Sequence, residues 1–187
     1  MAVNNVAVAE TVRALLVALG QDVTSDGLRE TPGRVARSYS ELLGGYQCDV
    51  PALFKDFDSG GYDQMIVLRG VPFYSLCEHH LLPFHGIASV AYIPGNGRVV
   101  GLSKLARLVD AFARRLQVQE RMTKQIADAL KEHLAPIGWG VLVRAQHLCM
   151  CARGVRAPGS EMITSVMGGA FKDDRSARNE FLRLAGM

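Results

Sequence analysis

The stretch Met65-Ile66-Val67-Leu68-Arg69-Gly70-Val71-Pro72-Phe73-Tyr74-Ser75-Leu76-Cys77-Glu78-His79-His80 decides how this chain is read. Its first part is a strand, rich in β-branched and aromatic residues from Met65 to Cys77, with Pro72 marking an edge or a bulge. Its end carries chemistry: Cys77, Glu78, His79 and His80 can all ligate a metal or move protons. Two residues separate Cys77 from His80, a common spacing for two ligands of one zinc ion. A second cluster, His147-Leu148-Cys149-Met150-Cys151, follows much later. His147 and Cys149 lie two apart on a run that reads as a strand, which points both side chains to one face. The clusters together offer Cys77, His80 and Cys149 as ligands, with His79 and His147 nearby. Two thiolates and one imidazole leave a fourth tetrahedral position for water, as in a catalytic zinc site; a structural site more often closes with a fourth protein ligand. A core can use cysteine as a small hydrophobe. An apolar core has no use for three histidines and a glutamate at these points.

Composition sets the frame. The chain has 187 residues, enough for one domain with an ordinary core and a helical extension. Hydrophobic residues make up 49% and charged residues 21%, which excludes a disordered chain. A net charge of +3 is too small to argue for nucleic acid and suits an anionic small substrate. No apolar run approaches the length of a membrane span. Met1 to Asn5 lacks the charged and apolar regions of a signal peptide, so a cytoplasmic location is expected. In that reducing compartment four cysteines favour metal binding over disulfides.

Outward from the centre, the chain reads as follows. Val8, Val12, Leu15, Leu16 and Leu19 recur at helical spacing until Gly20. Thr31 caps a second helix with Pro32 at its first position and Val35, Tyr39, Leu42 and Leu43 as its stripe. Arg34 and Arg37 on its early turns read, by pattern alone, as a solvated face. Residues 46–63 are loop-like and divide an N-terminal helical extension, 1–63, from a main domain, 64–187. A second strand runs from about Gly86 to Ile93, and Pro94-Gly95-Asn96-Gly97 turns the chain. Ser103 is expected to cap the next helix, whose stripe is Leu105, Leu108, Val109 and Phe112. A helix start bearing Ser103, Lys104 and Arg107 suits a phosphate, though alone it also fits a basic solvated face. Met122, Ile126, Ala129, Leu130 and His133 mark another helix. A third strand starts near Gly138 and is expected to carry Val141, Val143, Ala145, His147, Cys149 and, if regular, Cys151 on one face. A fourth strand covers about Met162 to Phe171, and a last helix turns Ala177, Phe181 and Leu184 inward. The order predicts an α+β fold: an antiparallel four-stranded sheet with a helix pair on one face.

Four motifs carry a resemblance to the GTP cyclohydrolase I family. They are Ser75-Leu76-Cys77-Glu78-His79-His80, Gly101-Leu102-Ser103-Lys104-Leu105-Ala106-Arg107, Gln117-Val118-Gln119-Glu120-Arg121 and His147-Leu148-Cys149-Met150. They stand in that family's order, and the resemblance runs from Arg29-Glu30-Thr31-Pro32 to the last helix. It implies a tunnelling fold, with subunits joined side by side into rings and two rings stacked into a homodecamer. It implies the conversion of GTP and water to formate and 7,8-dihydroneopterin triphosphate, the first step towards folate-type pterins. By the match, Cys77, His80 and Cys149 hold Zn2+, and Glu120, helped by Gln119, reads guanine. Ser103, Lys104, Arg107 and Arg153 match triphosphate-binding positions. Arg34 matches another, supplied by a neighbouring subunit, which overrides its solvated-face reading. The implied chemistry is attack of a zinc-activated water on C8 of the purine, with protonation of N7 as the ring opens. His147 is the first candidate for that proton and His79 the second.

Several positions depart from the family's usual pattern. Ile87 and Ser89 stand where Lys and His are frequent, Met122 replaces Leu or Ile, and Met162 replaces Thr. Cys151 is unusual there and could compete for metal or pair with Cys149 on oxidation. Two other classes fit parts of the sequence. A structural zinc subunit would keep the cysteines but has no reason to keep Glu120 and the basic residues. A nitrile reductase of deazapurine synthesis would use a catalytic thiol and NADPH, not the Cys77, His80 and Cys149 set.

Overall fold

The hairpin that ends in Cys77 is the spine of the molecule, seen in a computed structural model that describes residues 2–186. Strand β2 (Ile66–Cys77) pairs antiparallel with β3 (Pro83–Ile93), and β3 pairs antiparallel with β6 (Gly138–His147). Strand β7 (Met162–Gly169) adds to the far side of β6. The expected bulge is real: register shifts between Leu68 and Val71, with Gly70 at φ 71°, just before Pro72. The sheet has five strands rather than four. Leu116–Gln117 forms a two-residue strand, β5, parallel to the end of β2, giving the order β5-β2-β3-β6-β7.

Alternation along the strands separates two cores. Val90, Tyr92, Val141 and Val143 face helices α3 (Leu102–Ala113) and α4 (Gln119–Leu134), which bury Leu105, Leu108, Val109, Met122, Ile126 and Leu130 against them. This is the expected helix pair on one face. The opposite face is not bare. Ala91 and Leu142 pack there against Phe171 of the short α6 (Ala170–Asp173) and Phe181 of α7 (Arg175–Leu184). Leu182 joins that cluster, whereas Leu184, expected inward, is exposed.

The N-terminal helices α1 (Asn5–Ala18) and α2 (Thr31–Leu42) pack mainly on each other, and α1 buries no residue fully. Residues 46–63, expected as a loop, hold a helical turn at Pro51–Leu53 and a strand β1 (Asp56–Asp58) paired with β4 (Arg98–Val100). Two helix starts differ from expectation. Thr31 is the first residue of α2, behind Glu30, and its hydroxyl donates backwards to Gly27 O. The cap of α3 is Gly101, and the Ser103 hydroxyl lies inside the first turn without capping. In both cases the backbone turns one or two residues earlier than the hydroxyl pattern suggests.

Candidate active site

The two clusters of candidate metal ligands meet because of strand pairing. Cys77 is the last residue of β2, and the chain doubles back at once: Leu81 N–H donates to Cys77 O at 2.8 Å and Cys77 N–H to Leu82 O at 2.9 Å. Closing so tight a turn puts Leu81 at φ 54°, a left-handed conformation that a branched side chain rarely adopts. His79 and His80 are thereby held exposed at the turn. Strand β3 leaves this turn, and its Phe84 pairs with His147, the last residue of β6. The end of β6 therefore lies beside the Cys77 turn.

At this point the structure corrects the sequence reading. The chain does not continue as a strand to Cys151: Leu148–Cys151 forms one helical turn, α5. His147 and Cys149 therefore do not share a strand face. The turn nevertheless swings Cys149 towards Cys77 and His80, and the three ligand atoms lie within 4.8 Å of one another. Cys151 takes no part. Its thiol contacts Ala157 O at 3.6 Å, because residues two apart on a helical turn point to different sides.

The donor set suits a borderline-soft cation such as zinc. The Cys77 thiol is 3.7 Å from His80 Nδ1. Burial, and then the neighbouring Cys77 thiol, push the Cys149 thiol above its ordinary range. Two thiols so close resist ionisation together, and a bound cation is what draws off such protons. Arg153 stands at the rim, with one guanidinium nitrogen 3.1 Å from Cys149 O and 3.5 Å from His80 Nε2.

Strand β5 brings in the third motif. Gln117 pairs with Cys77, and Glu78 N–H donates to Gln117 O at 3.0 Å. Helix α4 begins two residues later, so Gln119 and Glu120 start it on the cavity that Cys77, His80 and Cys149 line. Their side chains behave differently. Glu120 is exposed and makes no hydrogen bond or ion pair among the described residues. Gln119 is fully buried, and its carboxamide is engaged at both ends. Glu78 is held by Arg121, which also donates to Gln117 Oε1 at 3.0 Å and Leu116 O at 2.9 Å. That guanidinium keeps the Glu78 carboxyl below its usual range. Arg121 ties the ligand turn, β5 and α4 into one unit, a role not assigned to it in the sequence reading.

His147 is fixed from two directions. Its ring stacks on Phe84 at 4.7 Å with an interplanar angle of 1°, and its Nε2 lies 2.8 Å from Gln119 Oε1. Burial lowers its pKa, against an opposing effect from the Glu120 carboxylate, so the ring favours the neutral form at neutral pH. Cys77, His79, His80, Glu120, His147 and Cys149 all line one cavity of about 190 Å³.

Ser103, Lys104, Arg107 and Arg34 do not line that cavity. Ser103, Lys104 and Arg107 stand on the first turns of α3, with Ser103 and Arg107 exposed. Arg34 lies on α2. A single chain thus assembles the three candidate metal ligands, His79, His147 and Glu120, with Arg153 beside them, and leaves Lys104, Arg107 and Arg34 elsewhere on its surface.

Comparison with known proteins finds relatives along nearly the whole chain. The sequence pattern of a family described as GTP cyclohydrolase I matches residues 8–186. A GTP cyclohydrolase 1 of Janthinobacterium sp. (strain Marseille) is 51% identical over 178 residues, 94% of this chain and 89% of its own length. One from Mycolicibacterium vanbaalenii is 52% identical over 174 residues, covering 92% and 86%. One from Caldanaerobacter subterraneus is 47% identical over 175 residues, covering 94% and 93%. Among solved structures, an archaeosine synthase QueF-Like in the apo form aligns with 56% of this chain and 93% of its own, at 19% identity and a TM-score of 0.46, too distant a likeness to bear on function. A match along nearly the whole length, with Cys77, His80 and Cys149 gathered in one cavity, leads to one conclusion: the chain belongs to the GTP cyclohydrolase I family of enzymes.

Proposed function

We propose that the protein converts GTP and water to formate and 7,8-dihydroneopterin triphosphate, at the start of folate and pterin synthesis. The observation that carries this reading is the shared cavity of Cys77, His80, Cys149, His147 and the uncommitted carboxylate of Glu120. Cys77, His80 and Cys149 would hold zinc. When bound, zinc supplies Lewis acidity and brings the pKa of water to about 7. Glu120 accepts hydrogen bonds from the guanine ring N–H and exocyclic amine, a pair of donors that adenine does not present together. Its free carboxylate supports that role; the carboxamide of Gln119 is already spent within the fold. His147 carries the proton that must reach N7 as the imidazole ring opens, and His79, exposed at the turn, is the second candidate.

A cavity of about 190 Å³ is smaller than the range of roughly 300–1,000 Å³ usual for small-molecule sites. It accommodates a base better than a whole nucleoside triphosphate. The triphosphate then extends past Arg153 to groups outside the cavity, for which the Ser103 hydroxyl and the cations Lys104, Arg107 and Arg34 are the candidates. Their separation from the metal ligands supports sites completed between subunits. Strand β7 is an edge of the sheet, free to pair with a neighbouring subunit, and the ring that a tunnelling fold implies would supply such an arrangement, with a decamer as the expected assembly. No helix among the described residues is long and apolar enough to cross a membrane, in keeping with a cytoplasmic enzyme. Light scattering is expected to report a large symmetric oligomer; a fully active monomer would contradict shared sites.

The guanine assignment has its own test. Glu120→Gln turns one acceptor oxygen into a donor facing the guanine amine, and a buried donor facing a donor costs about 1–3 kcal/mol. Glu120 is exposed at the second position of α4, so the fold is expected to tolerate the change. The variant should lose GTP binding with its melting temperature nearly unchanged, and the parent protein should prefer GTP to ITP, which lacks the amine. Equal kinetics in both comparisons would reassign Glu120 to structure.

A further inference from the structure

Gln119 lies at the first position of α4 with none of its surface exposed. Its Nε2 faces three acceptors: Val143 O at 3.2 Å, Met162 O at 3.0 Å and Thr164 Oγ1 at 3.1 Å. Two of these are backbone carbonyls, which can only accept. Exchanging the two ends of the carboxamide would set an oxygen 3.0 Å from a carbonyl oxygen inside the protein, a buried and unsatisfiable contact. The orientation of Gln119 is therefore dictated by the backbone of β6 and β7. The hydroxyls agree with it. Thr123 Oγ1 donates to Gln119 O at 2.7 Å, which leaves Thr164 Oγ1 to donate its proton to Thr123 Oγ1 at 2.6 Å and to accept from Gln119.

This fixes what His147 can do. With Oε1 of Gln119 pointing at His147 Nε2 at 2.8 Å, the imidazole nitrogen must be the donor. We infer that Gln119 is a positioning residue that locks His147 as its Nε2–H tautomer and so makes Nδ1 the nitrogen that exchanges protons during the reaction. The Phe84 ring sets the plane of the imidazole, and Gln119 sets its rotation within that plane. Among the described residues, His147 Nδ1 makes no hydrogen bond. Resting on the proposed role of His147 as proton carrier, the proton count is as follows. Nδ1 takes the proton that water loses as its oxygen bonds to C8, and the same nitrogen then delivers that proton to N7 as the C8–N7 double bond becomes single. When the C8–N9 bond breaks, N9 takes the remaining hydroxyl proton and C8 becomes the formamide carbonyl. The imidazole returns to its starting tautomer, with Nε2–H retained throughout on Gln119. The sequence motif suggests a helper in base recognition for Gln119; the inference adds that its carboxamide orients the histidine.

The test is nitrogen-15 NMR of the full-length, zinc-loaded protein with labelled histidine, the His147 signals being identified by their loss in His147→Gln. The expected result is a protonated, pyrrole-like Nε2 and an unprotonated, pyridine-like Nδ1; a protonated Nδ1 in the neutral ring would overturn the inference. This reading needs no turnover, so its outcome is independent of whether GTP is the substrate. Gln119→Leu supplies a second measurement. It should blur the tautomer signal and lower kcat by roughly 10- to 100-fold while KM for GTP stays within about threefold. A raised KM with unchanged kcat would instead make Gln119 a substrate contact and overturn its positioning role. If the leucine variant does not fold, the tautomer in the parent protein decides alone.

Discussion

His147→Ala is expected to keep its zinc and its oligomeric state while pterin formation falls by roughly 100- to 10,000-fold, the usual loss for a general acid–base group. The expectation follows from where the side chain sits. His147 ends β6 and lines the cavity, yet it is not one of the three clustered ligands. Its contacts, the Phe84 ring and the Gln119 carboxamide, orient the imidazole without using it for metal. The competing view is that His147 only supports the metal site, in which case its loss would weaken zinc binding by roughly 10- to 100-fold. Zinc content and turnover measured on the same variant separate the two. Intact zinc with near-normal turnover would remove both roles and move the proton to His79, which is exposed at the same turn.

Replacing a ligand should have an effect at least as large. Cys149→Ser is the cleaner choice, because Cys149 sits half-buried on a single helical turn, whereas Cys77 is buried at the end of a central hairpin. Elemental analysis of the parent protein should give about one zinc per chain, and of the variant almost none, with turnover lost in parallel. A serine hydroxyl at that position cannot replace the thiolate as a soft ligand. Full activity in a metal-free preparation would remove zinc from the mechanism. Cys151→Ser is the matched control: its thiol points to Ala157 O rather than into the ligand group, so zinc and activity should both persist.

The grouping of Cys77, His80 and Cys149 was legible in the sequence because each cluster is compact and chemically unlike a core. Cys77 and His80 need only a turn between them, and that turn is what the β2–β3 hairpin provides. The path to Cys149 was not legible. Leu148-Cys149-Met150-Cys151 is too short for periodicity to tell a strand from one helical turn, and the wrong choice still brought Cys149 to the Cys77 and His80 cluster. Strand β5 escaped for the same reason, with two residues recognised only through their parallel partner, Leu76–Cys77. The helix pair over the sheet was visible from its apolar stripes, but the layer on the other face was not. That layer depends on Phe171 and Phe181 folding back onto Ala91 and Leu142, far away in the chain. Gln119 shows the deeper limit. Its partners Val143, Met162 and Thr164 lie 24, 43 and 45 residues further on, so nothing local distinguishes a committed carboxamide from a free one. Glu120, the next residue on the same helical turn, has the opposite fate.

Incubation with GTP labelled with carbon-13 at C8 tests the central claim most directly. The proposed reaction removes that carbon, and no other, from the purine. The expected result is labelled formate and unlabelled dihydroneopterin triphosphate in equal amounts, the latter seen as a fluorescent pterin after oxidation. Label retained in a purine product, or formate released with no pterin, would contradict it.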